Sequence, residues 1–309
     1  MKFLIIIPAH NEEQNIGFCL QSLANQTFRD FRVVVVNDGS TDKTQEIAEE
    51  LIKKNGNQLP ASIFHLPASS HSPGAKVVDT FNKGLETQNL VDFDVICKFD
   101  ADIVFSENYL EEVDKIYEAN PKAGMVSGLV YIRDSSFPGM IKKPVILDEA
   151  ERNEESLYHF SNKDNWIFEN LSSKNHVRGP IKSYKKECFL AMNGLRPVLG
   201  WDNIDVMLCK KHGFEVITLK EIWVKHLRPT AYKYKNQKAE KLGEYFYNIG
   251  LNLPLTLISS AKSSMKNKSF SEFFITMKSF LKQKQERKLS KDEIKYIRNL
   301  RWKEMFKKF

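Results

Sequence analysis

Residues 3–13 read FLIIIPAHNEE and residues 31–42 read FRVVVVNDGSTD. In each, a nearly unbroken apolar run stops at a cluster of polar residues. An apolar run without alternation suits a strand buried on both faces, as in a parallel sheet covered by helices on both sides. Between the two runs, Ile16, Cys19, Leu20 and Leu23 recur at helical spacing, which predicts a helix over 12–24 with Asn11 as its N-cap. The same alternation continues outward. Helices are expected over 42–51 (Ile47, Ala48 and Leu51 inward), 74–85 (Val77, Val78, Phe81 and Leu85 on one face) and 108–117. Strands are expected over 62–66, 94–99 and 124–131. The fold class is therefore α/β, an open, mainly parallel sheet flanked by helices.

The remaining chain is organised differently. Over 134–174, Pro138, Pro144 and the charged stretch 149–155 predict long loops and a helix. Residues 177–226 are again mixed, and beyond 232 the chain is mostly helical. The expected division is a catalytic domain over 1–231, in halves 1–131 and 132–231, and a basic helical extension over 232–309. Residues 233–309 hold 19 Lys/Arg against 7 Asp/Glu, while the rest of the chain is slightly acidic, so the overall charge of +7 belongs to the extension. A basic tail fits an anionic partner such as a membrane surface, and equally a solvated helical face. No recognised nucleic-acid module accompanies it, and no nucleic-acid partner is expected.

The opening apolar run is too short for a signal peptide and is followed at once by Pro8 and His10-Asn11-Glu12-Glu13. No stretch reaches the roughly 18–20 apolar residues of a membrane span. The expected location is cytoplasmic, with peripheral attachment to the inner membrane face open. The cysteines, Cys19, Cys97, Cys188 and Cys209, lack metal or disulfide spacing and read as small buried residues.

Ligands of open α/β sheets sit outside the carboxyl ends of the strands. The first strand exits into Pro8-Ala9-His10-Asn11-Glu12, the second into Asp38-Gly39-Ser40-Thr41-Asp42, and the fourth into Asp100-Ala101-Asp102. Asp38 can accept hydrogen bonds from a base or ribose, and Gly39 lets the backbone turn; Asp-Gly-Ser is also an ordinary strand-to-helix turn. Asp100 and Asp102, two apart, offer hard oxygen ligands on one side of the strand, suited to Mg2+ or Mn2+. The same pair also fits a solvated turn. The first strand is followed by no GxGxxG and the chain has no GxxxxGK[ST], which argues against a dinucleotide oxidoreductase and a P-loop phosphotransferase.

Together these motifs resemble the family 2 glycosyltransferases of the GT-A fold. The likeness rests on Ile5-Ile6-Ile7-Pro8-Ala9-His10-Asn11-Glu12, on Val36-Asn37-Asp38-Gly39-Ser40-Thr41-Asp42-Lys43-Thr44 and on Phe99-Asp100-Ala101-Asp102. It extends over about residues 1–228 and is strongest before 103. The resemblance implies a nucleotide-sugar donor, with UDP favoured over GDP or dTDP, and a divalent metal, Mn2+ or Mg2+. It implies that Pro8, Ala9 and Glu12 line the nucleoside pocket and that Asp38 meets the base or ribose. Asp100 would touch the ribose or support the metal, Asp102 would ligate it and His226 would complete its shell. It places Lys76 near the diphosphate, at a helix start, and Arg178 near a phosphate or donor sugar.

The resemblance further implies an acidic base before a helix. In Leu199-Gly200-Trp201-Asp202-Asn203-Ile204-Asp205 that base is Asp202, with Asp205 as the alternative. Trp201 stands where the family often has glutamate, a departure; it is read as stacking on a sugar or packing in the core. The implied reaction is inverting transfer to a hydroxyl of a glycan or lipid-linked acceptor. A nucleotidyltransferase and a non-catalytic nucleotide-sugar-binding module are the competing readings; the first lacks its glycine-rich basic loop. In the extension, Phe270, Phe273, Phe274, Met277 and Leu281 form a helical stripe among lysines, fit for a membrane interface or for packing on the catalytic domain.

Overall fold

The computed structural model describes residues 1–67, 75–133, 158–160, 165–170, 174, 176–228 and 237–306. The expected loops and helix over 134–157, the helix-start residue Gly74 and the 231/232 boundary lie outside them. The strands are β1 (Phe3–Ala9), β2 (Phe31–Asp38), β3 (Ala61–Leu66), β4 (Val95–Phe99), β5 (Ile103–Phe105), β6 (Ala123–Arg133), β7 (Trp166–Phe168), β8 (Ile181–Lys185) and β9 (Glu215–His226). The first helices are α1 (Ile16–Ala24), α2 (Thr44–Asn55), α3 (Ala75–Glu86) and α4 (Tyr109–Ala119). Then follow α5 (Lys186–Ala191), α6 (Trp201–Lys211), α7 (Lys238–Asn248), α8 (Leu253–Lys266), α9 (Phe270–Lys282) and α10 (Lys291–Phe306).

One sheet runs β3-β2-β1-β4-β8-β6-β9-β5, with β7 on β6. The part β3-β2-β1-β4 is parallel. Beyond it, β8 inserts antiparallel between β4 and β6, and β9 returns parallel to β6. The two expected halves of the catalytic region are thus hydrogen-bonded into one sheet.

The unbroken apolar runs are explained by burial on both faces. Ile5, Ile7, Val33 and Val35 pack with Leu20, Leu23, Ala48 and Leu110 of α1, α2 and α4. Their neighbours Leu4, Ile6, Val34 and Val36 face the other way, toward Val78 and Phe81 of α3 and Leu208 of α6. Phe246, Leu255, Phe280 and Ile297 of the C-terminal helices belong to this second cluster, so the extension shares the core of the sheet.

The expected N-cap of α1 needs correction. The helix begins at Ile16, after Asn15. Asn11 instead takes a left-handed φ of 53° and accepts a hydrogen bond from the Thr41 backbone N–H at 2.9 Å. Asparagine tolerates that conformation better than most residues, and the pairing with the β2 exit delays the helix by a turn.

Helix α3 lies unusually close to the sheet. A Cβ built on Gly84 would stand 2.4 Å from Val36 Cγ2 and 3.0 Å from Ile6 Cγ2. The valine is β-branched and stiff, so a methyl there forces the helix off the sheet. Alanine gains about 1 kcal/mol of helix propensity, but overpacking costs about 1–3 kcal/mol. Gly84→Ala is expected to lower stability by about 1 kcal/mol, read as a lower urea midpoint; a raised midpoint would show that the contact relaxes freely.

Candidate active site

The site forms where β1, β2 and β4 end. The β1 and β2 exits are stitched by reciprocal bonds. The Asn11 N–H donates to Ser40 Oγ at 3.0 Å and the Glu12 N–H to Thr44 Oγ1 at 2.7 Å. The Glu13 N–H donates to Asp42 Oδ2 and the Lys43 N–H to Glu13 Oε2, each at 3.1 Å. Gly39, at φ 58°, makes the turn that lets the loops meet. Asp38 is buried, and its Oδ2 accepts from Thr80 at 3.1 Å and pairs with Lys76 Nζ at 3.0 Å. Lys76, expected near the diphosphate, is thus paired with Asp38. Pro8 is half-buried at this edge. Ala9 is only 1% exposed and packs in the core, so its side chain does not line an open pocket.

Asp102 lies at the junction of two long-range pairings. Directly after it, β5 pairs antiparallel with the end of β9, placing Ile103 opposite His226. The Leu227 N–H also donates to the Asp102 carbonyl at 2.9 Å. His226 Nε2 comes within 3.5 Å of Asp102 Oδ2, while Nδ1–H donates to Glu169 Oε2 at 3.3 Å. Glu169 in turn accepts from Arg178 at 2.8 Å, and Arg178 also donates to the Glu169 carbonyl at 3.1 Å. On the other flank, Arg228 bridges Asp102 Oδ2 (3.2 Å) and Glu12 Oε1. The result is a chain of alternating charge, Glu12–Arg228–Asp102–His226–Glu169–Arg178, buried except at Arg228.

The chain sets the protonation states. Burial pushes the Glu12 carboxyl up, helped by Asp102 and opposed by Arg228. Burial would also raise Asp102, but His226 and Arg228 outweigh it and hold the carboxyl below its ordinary value. Burial would lower His226, but Asp102 and Glu169 outweigh it and favour the imidazolium. Asp102 Oδ1 is buried with no hydrogen-bond partner. An orphaned carboxylate oxygen beside a histidine whose far nitrogen is held by a carboxylate suits a divalent cation. Among the described residues, no group of three or more His, Cys, Asp or Glu side chains is already arranged around a metal position. The fit therefore rests on Asp102 and His226, with the remaining ligands left to a bound diphosphate or water.

Asp100 sits beside this chain. Its backbone N–H donates to the Pro180 carbonyl at 2.9 Å, and its side chain pairs with buried Lys98. Lys98 also donates to the Gly179 carbonyl at 3.4 Å. Gly179 backs directly onto the Cβ of Asp202 and the ring of Trp201. Asp100, through Lys98, and Asp202 thus flank the same turn at Gly179. Asp202 is half-buried in the first turn of α6, and its carboxylate accepts one long bond from Asn203 at 3.4 Å.

Asp205 is different. It is 2% exposed and its carboxylate accepts from Lys182, from Tyr184 at 2.6 Å and from the Val206 N–H at 2.6 Å. That arrangement fixes α6 and leaves no oxygen turned to a ligand. Trp201 packs in the core, the second of its two expected places. It is 7% exposed, with Lys98 and Lys182 ammonium groups each 5.2 Å from its ring. Arg178, paired with Glu169, is likewise held inside the protein and not turned to a phosphate.

The sequence reading missed Glu169 and Arg228. Neither belongs to a spaced motif, and each acquires its role through pairing with distant strands. His176 was also missed. It is half-buried, and burial together with Lys182 keeps its imidazole neutral beside Asp202.

The profile of the family described as "Glycosyl transferase family 2" matches residues 4–176, more than half of the chain. The chain belongs to glycosyl transferase family 2. The poly(ribitol-phosphate) β-N-acetylglucosaminyltransferase TarS of Staphylococcus aureus is 43% identical over 76 residues, 24% of this chain and 13% of TarS. A dolichyl N-acetyl-α-D-glucosaminyl phosphate 3-β-D-2,3-diacetamido-2,3-dideoxy-β-D-glucuronosyltransferase of Methanococcus voltae is 31% identical over 135 residues, 42% of this chain and 40% of that protein. The alignments thus span less than half of either relative. Among solved structures, the mannosyltransferase PcManGT of Pyrobaculum calidifontis, in complex with GDP-Man and Mn2+, superposes with a TM-score of 0.57 at 17% identity. It covers 90% of this chain and 73% of that one. TarS 1–349 in complex with UDP-GlcNAc gives 0.52 at 18% identity, over 92% of this family 2 chain and 76% of TarS 1–349. Both likenesses show the shared GT-A fold.

The buried Arg178–Glu169 pair gives a direct test. Removing one member of such a pair strands the other charge, at about 3–5 kcal/mol. Arg178→Met in metal-free buffer is expected to lose about 3 kcal/mol by urea denaturation, and adding Glu169→Gln to recover part of it. Simple additivity of the two losses would show that the side chains act independently.

Proposed function

We propose that this family 2 member is a metal-dependent, inverting glycosyltransferase. It would move a sugar from a nucleoside-diphosphate donor, UDP in first place, to a hydroxyl of a glycan or lipid-linked glycan presented at a membrane. The observation that carries the reading is the buried, unpartnered Asp102 Oδ1 beside His226 at the strand exits, within the same edge as Asp38 and Asp202. The Mn2+ and GDP-Man of PcManGT and the UDP-GlcNAc of TarS are consistent with it as ligands of proteins with this fold.

In this reading Asp102 and His226 hold the metal, whose chemistry when bound is to neutralise the diphosphate as it leaves. Asp38, held in place by Lys76 and Thr80, accepts from the base or ribose. Asp100 faces the donor beside Lys98. Glu169 fixes the ring of His226 through Nδ1, a task metal-binding histidines commonly assign to a carboxylate. The acceptor oxygen attacks the anomeric carbon as its proton passes to the Asp202 carboxylate. The new carbon–oxygen bond forms on the face opposite the breaking one, whose electron pair leaves with the diphosphate. One displacement inverts the anomeric centre.

Calorimetric titration with UDP, GDP and dTDP, each with and without Mn2+, tests the donor and cation together. UDP is expected to bind most tightly, and only with Mn2+. Asp102→Asn should remove the Mn2+ enhancement; equal affinity of the parent protein in both buffers sinks the metal assignment. Asp202→Asn should slow release of nucleoside diphosphate from the selected donor by about 10²–10⁴-fold while leaving the titration unchanged. Undiminished transfer in that variant, or a product that retains the donor's anomeric configuration, would refute the base or the inversion.

A further inference from the structure

Two of the C-terminal helices, α8 and α9, bury hydroxyl side chains while exposing large apolar ones. Helix α8 buries Leu255 but also Thr256, Ser260 and Ser264, and it turns Leu253, Leu257, Ile258 and Met265 outward. Helix α9 buries Thr276 with Met277 and Phe280, and turns Phe270, Phe274, Ile275 and Leu281 outward. These eight outward apolar side chains are between 40 and 80% exposed. The stripe expected from the sequence is thereby split, with Met277 inward and Phe270, Phe274 and Leu281 outward. Hydroxyl side chains face water when water is the surrounding medium, and apolar ones face the core. Here the buried Ser260 hydroxyl lacks a hydrogen-bond partner among the described residues, while phenylalanine and methionine stand in the open. An exposed apolar face of this extent marks a contact surface.

Charge identifies the contact. Within 253–284 lie Lys262, Lys266, Lys268, Lys278, Lys282 and Lys284 against the single acid Glu272. All six lysines are exposed. Lysine stems lie along apolar surface while their ammonium groups reach anionic headgroups. We infer that the α8–α9 hairpin docks this protein onto the surface of an anionic lipid bilayer. The helices, 14 and 13 residues long, extend about 20 Å each, short of the roughly 30 Å hydrocarbon layer. No helix among the described residues is long and apolar enough to cross a membrane, so the hairpin lies in the interface plane. A second copy is disfavoured as the occupant, because a two-fold contact on this face would oppose its lysines to their own images.

The surface is coupled to the candidate site. Gly243 of α7 packs so closely on α9 that a Cβ would stand 2.3 Å from the Thr276 carbonyl. Tyr245 of α7 in turn covers Gly200, next to Trp201 and Asp202. The docked hairpin is one helix away from the proposed base. The purpose of docking rests on the lipid-linked acceptor proposed above, whereas lipid binding itself does not depend on catalysis.

Sedimentation of the full chain with vesicles tests the inference. Binding is expected to mixed phosphatidylcholine–phosphatidylglycerol vesicles and to be much weaker to phosphatidylcholine alone. Leu257→Ser with Phe274→Ser should weaken it by about tenfold per side chain. Lys266→Gln with Lys278→Gln should weaken binding to anionic vesicles by about fivefold per lysine. All four positions are exposed, so circular dichroism and UDP titration should remain those of the parent. No binding to either vesicle, or binding indifferent to the serine variant, overturns the inference. So does a lipid-free dimer, seen by light scattering, that the serine variant dissociates. Failure of vesicle binding with UDP binding intact would leave the transferase reading standing, and the reverse result would leave the docking surface standing.

Discussion

The candidate site depends on one electrostatic constraint: three carboxylates, Glu12, Asp102 and Glu169, are buried together and must be neutralised. The chain does this with Arg228, His226 and Arg178, interleaved so that each acid touches at least one cation. Desolvating unpaired charges would cost several kcal/mol each. The pairing therefore ties the exits of β1 and β4 to the end of β9 and to the segment after β7. His226 is the adjustable member. Its imidazolium lies between Asp102 and Glu169, and under the proposed reading it would serve as a neutral ligand when a divalent ion supplies the positive charge instead. The site's fit to a cation is thus a property of the whole ladder.

The sheet and its strand exits were legible because their signals are local. Residues 3–7 and 33–36 are apolar without alternation, which only a strand covered on both faces accommodates. Asp38 and Asp102 follow such runs directly, so their place at the sheet edge follows from chain order. The site partners carry no local signal, for the opposite reason. His226 entered only through the family resemblance, and it reaches Asp102 because the three-residue strand β5 pairs with β9, more than a hundred residues away. Nothing in Ile103-Val104-Phe105 distinguishes it from a helix lead-in. Glu169 and Arg228 depend on the same kind of long-range register. The partners of Lys76 and Trp201 were not legible either, because a cation or a ring at a helix start says nothing about which buried neighbour claims it.

Buried lysines explain why α6 begins where it does. Lys98 on β4 and Lys182 on β8 are neighbours across the sheet, placed opposite each other by the β4–β8 register. Both ammonium groups lie against the Trp201 ring, and they part toward Asp100 and Asp205 respectively. Lys182 also donates to the Asp202 carbonyl at 2.5 Å. The first turn of α6 is therefore held at its backbone, its ring and its second acid. Asp202 alone keeps its carboxylate turned away from these locks, as the proposed role of proton acceptor requires.

The helical extension completes that arrangement and is not an appendage to it. Gly200 adopts a φ of 88°, where only glycine is comfortable, and a Cβ there would stand 2.2 Å from the Tyr245 ring. Arg301 of α10 donates to the Tyr245 hydroxyl at 3.0 Å, and Asn248 of α7 donates to the Leu199 carbonyl at 3.1 Å. The loop before Asp202 is thus fixed from outside the sheet by two helices of the extension. The extension buries Phe246, Ile249, Leu251, Phe280 and Ile297 in the same cluster as Val34 and Val36. The hydrophobic term that holds the extension on the sheet is also what holds the loop before Asp202 in register. A surface docked against α8 and α9 would bear on the same stack of helices, which makes the orientation of Asp202 and the attachment of the protein parts of one packing problem.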